Sequence, residues 1–279
     1  MNKAEIGSRT AKGGFANERA ICSKFNDWKK DKEAKHWLEI MGYNVKKITE
    51  VKALCIPGRI KKTSLSIYGM ENENYEILSK FKKADLQVRV LIKIGDILSI
   101  ENISLKKANK SAGFNHVDRR WVDFYQEIWK FDDEIALWLK LFTGEIKPKT
   151  RKDLVKNYKT LKYPNRLLIS EMDISVQNKI IRFFEKNKIL FVSDVLKGRG
   201  GLSADWMLVT MHDKTNNTTS WVLKDINAVM NFYGQGETRL SPKGSLFIGR
   251  IFMQRKGATG NPTQLQFKFN PNQLFEIDG

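Results

Sequence analysis

A chain of 279 residues can bury a substantial core in one large domain or two modest ones. Its 49 basic against 31 acidic residues, formally +18, point to a polyanionic partner, nucleic acid before membrane. Apolar content of 41% excludes general disorder, and two cysteines with three scattered histidines exclude a dense disulfide framework or a zinc-finger array.

No long apolar run suggests a membrane span, and the polar N-terminus reads as lacking a secretory signal, so a cytoplasmic protein is expected. The first helix is expected over 8–28, with Phe15, Ile21, Phe25 and Trp28 on one side and Glu18 near it, a minor candidate metal ligand. A second helix is expected over 31–41, stopped by Gly42. Residues 48–56 form a short apolar segment closed by Pro57-Gly58. The stretch 59–81, with Glu71-Asn72-Glu73-Asn74 inside it, fits no pattern and reads as an inserted excursion.

The most informative stretch is 84–106. Leu86, Val88, Val90, Ile92 and Ile94 alternate with Asp85, Gln87, Arg89 and Lys93, the pattern of a half-buried strand, and Gly95-Asp96 suits a two-residue turn. A returning strand over 97–105 then pairs Gln87 with Ser104 and Asp85 with Lys106. Opposed residues share a face, so Asp85, Gln87, Ser104 and Lys106 form one polar cluster at the open end of the hairpin. A carboxylate there is a hard ligand for Mg²⁺, and a neighbouring lysine can orient or help deprotonate a water attacking phosphorus. A solvated salt bridge across an edge hairpin is the alternative on spacing alone, and a single bulge would undo the cluster.

The loop that follows carries Lys107, Lys110 and Phe114. The lysines suit phosphate contacts, and Phe114 is either a wedge at a base step or an anchor on the core. Helices are expected over 117–130 and 131–142, with Trp121, Phe124, Tyr125, Ile128 and Trp129 in the core. A lysine-rich connection covers 146–164, and Ser170 opens another helix with Asp173 in its first turn. From Ile189 the chain reads as strands: 189–192, then 204–211 and 220–223 after the turn Gly198-Arg199-Gly200-Gly201, with a helix over 225–233. That turn lacks the strand-to-helix context of a nucleotide loop, so Arg199 serves a phosphate contact or a plain surface turn. Two last strands hold Gln254, Arg255 and Lys256, side chains of the kinds that read bases in a major groove, and Leu265 to Phe269.

Gly7-Ser8-Arg9-Thr10-Ala11-Lys12, Gly14-Phe15, Asn17-Glu18, Gly113-Phe114-Asn115, Tyr125-Gln126-Glu127 and Trp129-Lys130-Phe131-Asp132-Asp133 occur in this order, followed by Gly198-Arg199-Gly200, Gln254-Arg255-Lys256-Gly257 and Leu265-Gln266-Phe267-Lys268. In these motifs the chain resembles small type II restriction endonucleases that cut the palindrome GCGC, over nearly its whole length apart from 59–80. The resemblance implies the PD-(D/E)xK nuclease fold, a central mixed β-sheet flanked by helices in a single domain over 1–279, cleaving double-stranded DNA with Mg²⁺. It implies Asp85 as metal-binding carboxylate and Lys106 as catalytic lysine. Ser104 stands where the superfamily has Glu or Asp, so Glu18, Glu127 or the backbone carbonyl of Leu105 would complete the metal shell. Glu101 falls on the other hairpin face. Asn115, His116, Asp118, Arg119, Gln254, Arg255 and Lys256 are candidate base readers, and Lys107, Lys110 and Arg199 candidate phosphate clamps. A restriction-modification system implies a cognate DNA methyltransferase. The palindrome suits a homodimer or a monomer that nicks each strand in turn. A structure-selective repair nuclease and a non-catalytic repressor are the rival functions.

Overall fold

The computed structural model describes residues 3–92, 97–108, 113–213, 215–255 and 263–277. In chain order the helices are α1 (Lys3–Asn26), α2 (Lys32–Ile40), α3 (Tyr75–Phe81), α4 (Val122–Trp129), α5 (Asp133–Thr143), α6 (Ile174–Lys186), α7 (Lys188–Leu196) and α8 (Ile226–Gly234). The strands are β1 (Ile48–Cys55), β2 (Leu86–Ile92), β3 (Ile97–Ala108), β4 (Asn115–Arg120), β5 (Trp206–Asp213), β6 (Thr218–Asp225), β7 (Arg239–Leu240), β8 (Leu246–Ile248), β9 (Ile251–Arg255) and β10 (Leu265–Phe269). The chain gathers into two compact units, one from 6–113, 196–230 and 271–279, the other from 1–5, 114–195 and 231–270.

The first unit is built on a five-stranded sheet of order β1-β2-β3-β5-β6. It is mixed: β3 runs parallel to β5, and the other pairs are antiparallel. Alternation along β2 sends Leu86, Val88 and Val90 to one face. There, with Ile103 and Leu105 of β3, they pack on Ile21, Phe25 and Trp28 of α1 and on Ala34, Trp37 and Leu38 of α2. Phe15, expected on that side of α1, is 51% exposed. Asp31 caps α2 by accepting from the Ala34 amide at 2.9 Å, and Gly42 takes the left-handed φ of +90° that stops it. The 59–80 stretch has its own apolar cluster of Ile60, Leu65, Tyr68 and Leu78, closed by Leu202. It also grips the polar side of β2: Gln87 Nε2 donates to Tyr68 O at 3.2 Å, and Arg89 to Ile67 O at 2.6 Å.

The second unit holds an antiparallel sheet of order β4-β10-β9-β8-β7. Its core is aromatic. Trp129 stacks on Tyr125 at 4.5 Å, and Phe267 of β10 meets Tyr125 at 5.3 Å and Phe191 at 4.9 Å. Three expectations change here. Residues 115–120, read as loop and helix, form strand β4, and the apolar run 189–192, read as a strand, lies inside helix α7. A short apolar run has no period to separate the two states. Phe191 and Val192 are buried while Ile189 is 84% exposed, a one-sided burial that suits a helix. Helix α6 starts at Ile174 rather than Ser170, because 169–171 forms a separate 3₁₀ turn. Among the described residues, no helix is long and apolar enough to cross a membrane.

Candidate active site

The hairpin register differs from expectation by two residues. Ile92 faces Ile97, Gln87 faces Asn102 and Leu86 faces Ile103; the Gly95-Asp96 turn lies outside the described residues. A shift of two conserves the face of every side chain, where a shift of one would have reversed it. Asp85, Ser104 and Lys106, three of the four side chains expected together, therefore meet with a different pairing. The Asp85 amide donates to Ile103 O at 2.8 Å, which sets its carboxylate beside Ser104.

At this end of the sheet, Asp85 Oδ2 accepts from the Leu105 amide at 2.7 Å and from Ser104 Oγ at 3.4 Å. Lys106 Nζ donates to Ser104 Oγ at 2.9 Å and to Leu105 O at 3.0 Å, and lies 3.6 Å from Asp85 Oδ2. The Lys106 and Asp85 side chains are 17% and 25% exposed, so both reach solvent while their stems are held. Gln87 does not join them, being turned to Tyr68 and Arg89. Glu101 lies on the opposite face, where it accepts from Tyr43 Oη and from Trp206 Nε1.

Helix α1 brings Glu18 into the same field. The docking of Ile21 and Phe25 on the sheet fixes the helix, and Thr210 Oγ1 of β5 donates to Asn17 Oδ1 at 3.1 Å, one residue before Glu18. Burial, and next the negative charge of Asp85, push the Glu18 carboxyl above its ordinary value, while Lys82, Lys106 and Arg19 pull it down. Lys82 is a member of this centre that sequence reasoning missed. Its Nζ donates to Ala84 O at 3.1 Å, and burial lowers its pKa against the opposing pull of Asp85 and Glu18. Its position three residues before Asp85 is the only signal the sequence carries of it.

The donor set suits a hard divalent cation. The Asp85 carboxylate and the Glu18 carboxyl whose proton affinity it raises, with a backbone carbonyl at Leu105, are oxygen donors of the kind Mg²⁺ takes with several waters. Among the described residues, no three His, Cys, Asp or Glu side chains gather as a metal cluster, so any ion here draws on main chain and water as well. Glu127 is on the exposed side of α4 in the second unit.

Beside the Asp85 segment, Gly198 takes a φ of +78°, and a Cβ there would stand 2.0 Å from Phe81 O. The glycine in Gly198-Arg199-Gly200 thus permits the close approach that lets Arg199 lie over the Phe81 ring at 4.4 Å and its amide reach Phe81 O. Lys107 is exposed at the end of β3. Lys110 and Lys256 lie outside the described residues.

The candidate base readers sort by strand face within the second unit, the β4 bulge putting His116 and Asp118 on opposite faces. His116 and Arg119 are exposed on β4, and Gln254 is partly exposed on β9. Asp118 and Arg255 are turned to the packed side. Asp118 accepts from Tyr125 Oη at 2.8 Å and from Arg120 Nε at 3.1 Å. Arg255 donates to Leu167 O at 2.8 Å and lies over the Tyr163 ring at 4.4 Å, with burial lowering its pKa. Both therefore support the sheet. Asn115 stands opposite Phe269, and Phe114, 45% exposed, touches the rings of Phe252 and Phe247.

The family model described as R.HinP1I restriction endonuclease matches residues 74–275. No curated protein sequence matches the chain significantly. The crystal structure of restriction endonuclease MspI in complex with its cognate DNA is similar in fold, with a TM-score of 0.59 and 12% identity, covering 96% of this chain and 93% of that one.

Proposed function

The chain belongs to the R.HinP1I restriction endonuclease family and is a type II site-specific deoxyribonuclease; from that premise we propose that it cuts double-stranded DNA with Mg²⁺ at a short GC-rich palindrome, GCGC. Its biological setting is then a restriction-modification system with a cognate DNA methyltransferase. The observation that carries the reading is the convergence of Asp85, Ser104, Lys106 and the Leu105 carbonyl at the end of β2 and β3, with Glu18 of α1 in the same field.

In this reading Asp85, Glu18 and Leu105 O hold the cation, which when bound polarises the scissile phosphate and acidifies a water. Lys106 sits at hydrogen-bond distance from two oxygens of the cluster, so its ammonium orients an attacking water and balances the charge that grows on phosphorus. Ser104 is too weak a ligand to replace a carboxylate. Its hydroxyl instead bridges Lys106 and Asp85 and keeps the two at working distance. Lys107 and Arg199 contact phosphates, which supply affinity without sequence choice.

Long DNA incubated with the protein and Mg²⁺ tests this. Discrete fragments whose mapped ends share GCGC are expected. Sequence-independent nicking would make the protein a repair nuclease, and a mobility shift without cleavage would make it a repressor; either result overturns the proposal.

A further inference from the structure

Strand β10 lies between β4 and β9 in the second unit, and its alternation is strict. Leu265, Phe267 and Phe269 are fully buried on the core side, so Gln266 and Lys268 stand on the other face. On that face Gln266 has Arg119 on one side and Gln254 on the other, while Lys268 has His116 and Phe252. The pairing of β10 with β4 skips a residue between Phe267 and Lys268, and this bulge is what brings Lys268 opposite His116. Two rows of side chains result, cross-strand neighbours within each row and about 6.8 Å between rows, close to two base-pair rises of about 3.4 Å.

Two polar residues on this face lose much of their contact with water. Gln266 is only 9% exposed. Lys268 is half-buried with no carboxylate or carbonyl on its ammonium among the described residues, and burial alone lowers its pKa. A lysine that only clamps phosphates has no need to be mid-strand in the middle of a sheet, where it loses water. A desolvated ammonium is costly unless a ligand supplies its partner.

We propose that this face of the β4-β10-β9 sheet reads base edges in the major groove, with Lys268 donating to guanine O6 and N7 and Gln266 reading the neighbouring row between Arg119 and Gln254. The inference rests on the restriction-endonuclease reading above and deepens it by naming two specificity-determining residues. The chemistry matches the residues: ammonium groups pair with guanine acceptors, and a carboxamide offers one donor and one acceptor edge.

The test uses the full chain, a duplex bearing the site mapped from wild-type fragment ends, and duplexes with single base pairs changed. Lys268→Met keeps the stem and removes the donor, and Lys268→Arg restores donors. Lys268→Met is expected to lower affinity for the mapped site roughly ten- to a hundredfold, the range of one good base pairing, with non-specific affinity and its salt slope little changed. Lys268→Arg should recover part of the ratio, and Gln266→Leu should relax discrimination at a different base pair. Uniform weakening on every duplex, with a salt slope reduced by about one, would make Lys268 a phosphate contact and overturn the inference. An unchanged ratio in a folded Lys268→Met protein would overturn it too. If Lys268→Met does not fold, the position-specific effect of Gln266→Leu decides, and an unaltered base preference there rejects the reading. Failure of the wild-type protein to give discrete fragments is a separate outcome that refutes the nuclease reading itself.

Discussion

Replacing Asp85 by Asn isolates charge from shape. The amide keeps an oxygen that can accept from the Leu105 N–H, which now bonds Asp85 Oδ2 at 2.7 Å, but it no longer attracts a divalent ion. A bound cation contributes several kcal/mol of stabilisation to the developing phosphorane, and losing about 4–5 kcal/mol of it slows cleavage roughly 10³- to 10⁴-fold, at 1.36 kcal/mol per decade. Folding should hardly respond. The Lys106–Asp85 pair at 3.6 Å is partly exposed and contributes at most about 1 kcal/mol, or a few degrees in Tm for a protein of this size. DNA affinity without metal should hold or rise up to a few-fold, since one negative charge about 5 Å from a phosphate repels it by about 0.8 kcal/mol in a water-like dielectric. Single-turnover cleavage with Mg²⁺, fluorescence anisotropy without metal and thermal denaturation give the three readings. Cleavage at the wild-type rate would refute the assignment, and equal losses of cleavage and binding would show that Asp85 acts by shaping the DNA site.

Glu18→Gln should raise the Mg²⁺ concentration needed for half-maximal cleavage, while stabilising the metal-free protein slightly at neutral pH. The ionised Glu18 is disfavoured in the fold by burial and by Asp85, so wild type loses stability relative to the variant as pH rises from about 4.5 through the raised pKa. After solvent screening the gain is a fraction of a kcal/mol, about 1–2 °C, and a lower Tm in the variant at pH 7 would reject the account. Gly198→Ala would place a Cβ 2.0 Å from Phe81 O at a left-handed φ. It should lose about 3 kcal/mol or more, a Tm fall of roughly 6–12 °C, and an unchanged melting curve would contradict the close approach. Arg255→Ala strips the donor from buried Leu167 O and should cost about 1–3 kcal/mol without altering base preference. A stable variant with relaxed cleavage would return Arg255 to the base readers.

The hairpin that carries Asp85 and Lys106 is legible because strand alternation has a period of two. Any even error in register leaves Asp85, Ser104 and Lys106 on one face, so the cluster formed although Ile92, not Ile94, faces Ile97. Parity was also the signal passed over in Gln254-Arg255. Adjacent strand residues cannot both face DNA, and Arg255 is the one turned to Leu167 and Tyr163. Residues 115–120 and 189–192 are each too short for a period to show, and the neighbours each packs on settle its state. For Phe191 those are Phe184 on the preceding helix and Trp129 and Phe267, both distant in sequence.

Composition, strand period and the ordered family motifs sufficed to determine a basic α/β nuclease and to put Asp85 and Lys106 on one face of a hairpin, since these are properties of the chain read locally or by likeness. Tertiary structure alone brought the charges of Glu18 from α1 and Lys82 from the approach to β2 within electrostatic reach of Asp85 and Lys106. It also decided that Gln266 and Lys268, and not Asp118 and Arg255, occupy the open face of the second sheet. The reason is geometric: a field shared by residues 18, 82, 85 and 106 exists only once α1 has docked on the sheet, and a face exists only once strands have paired.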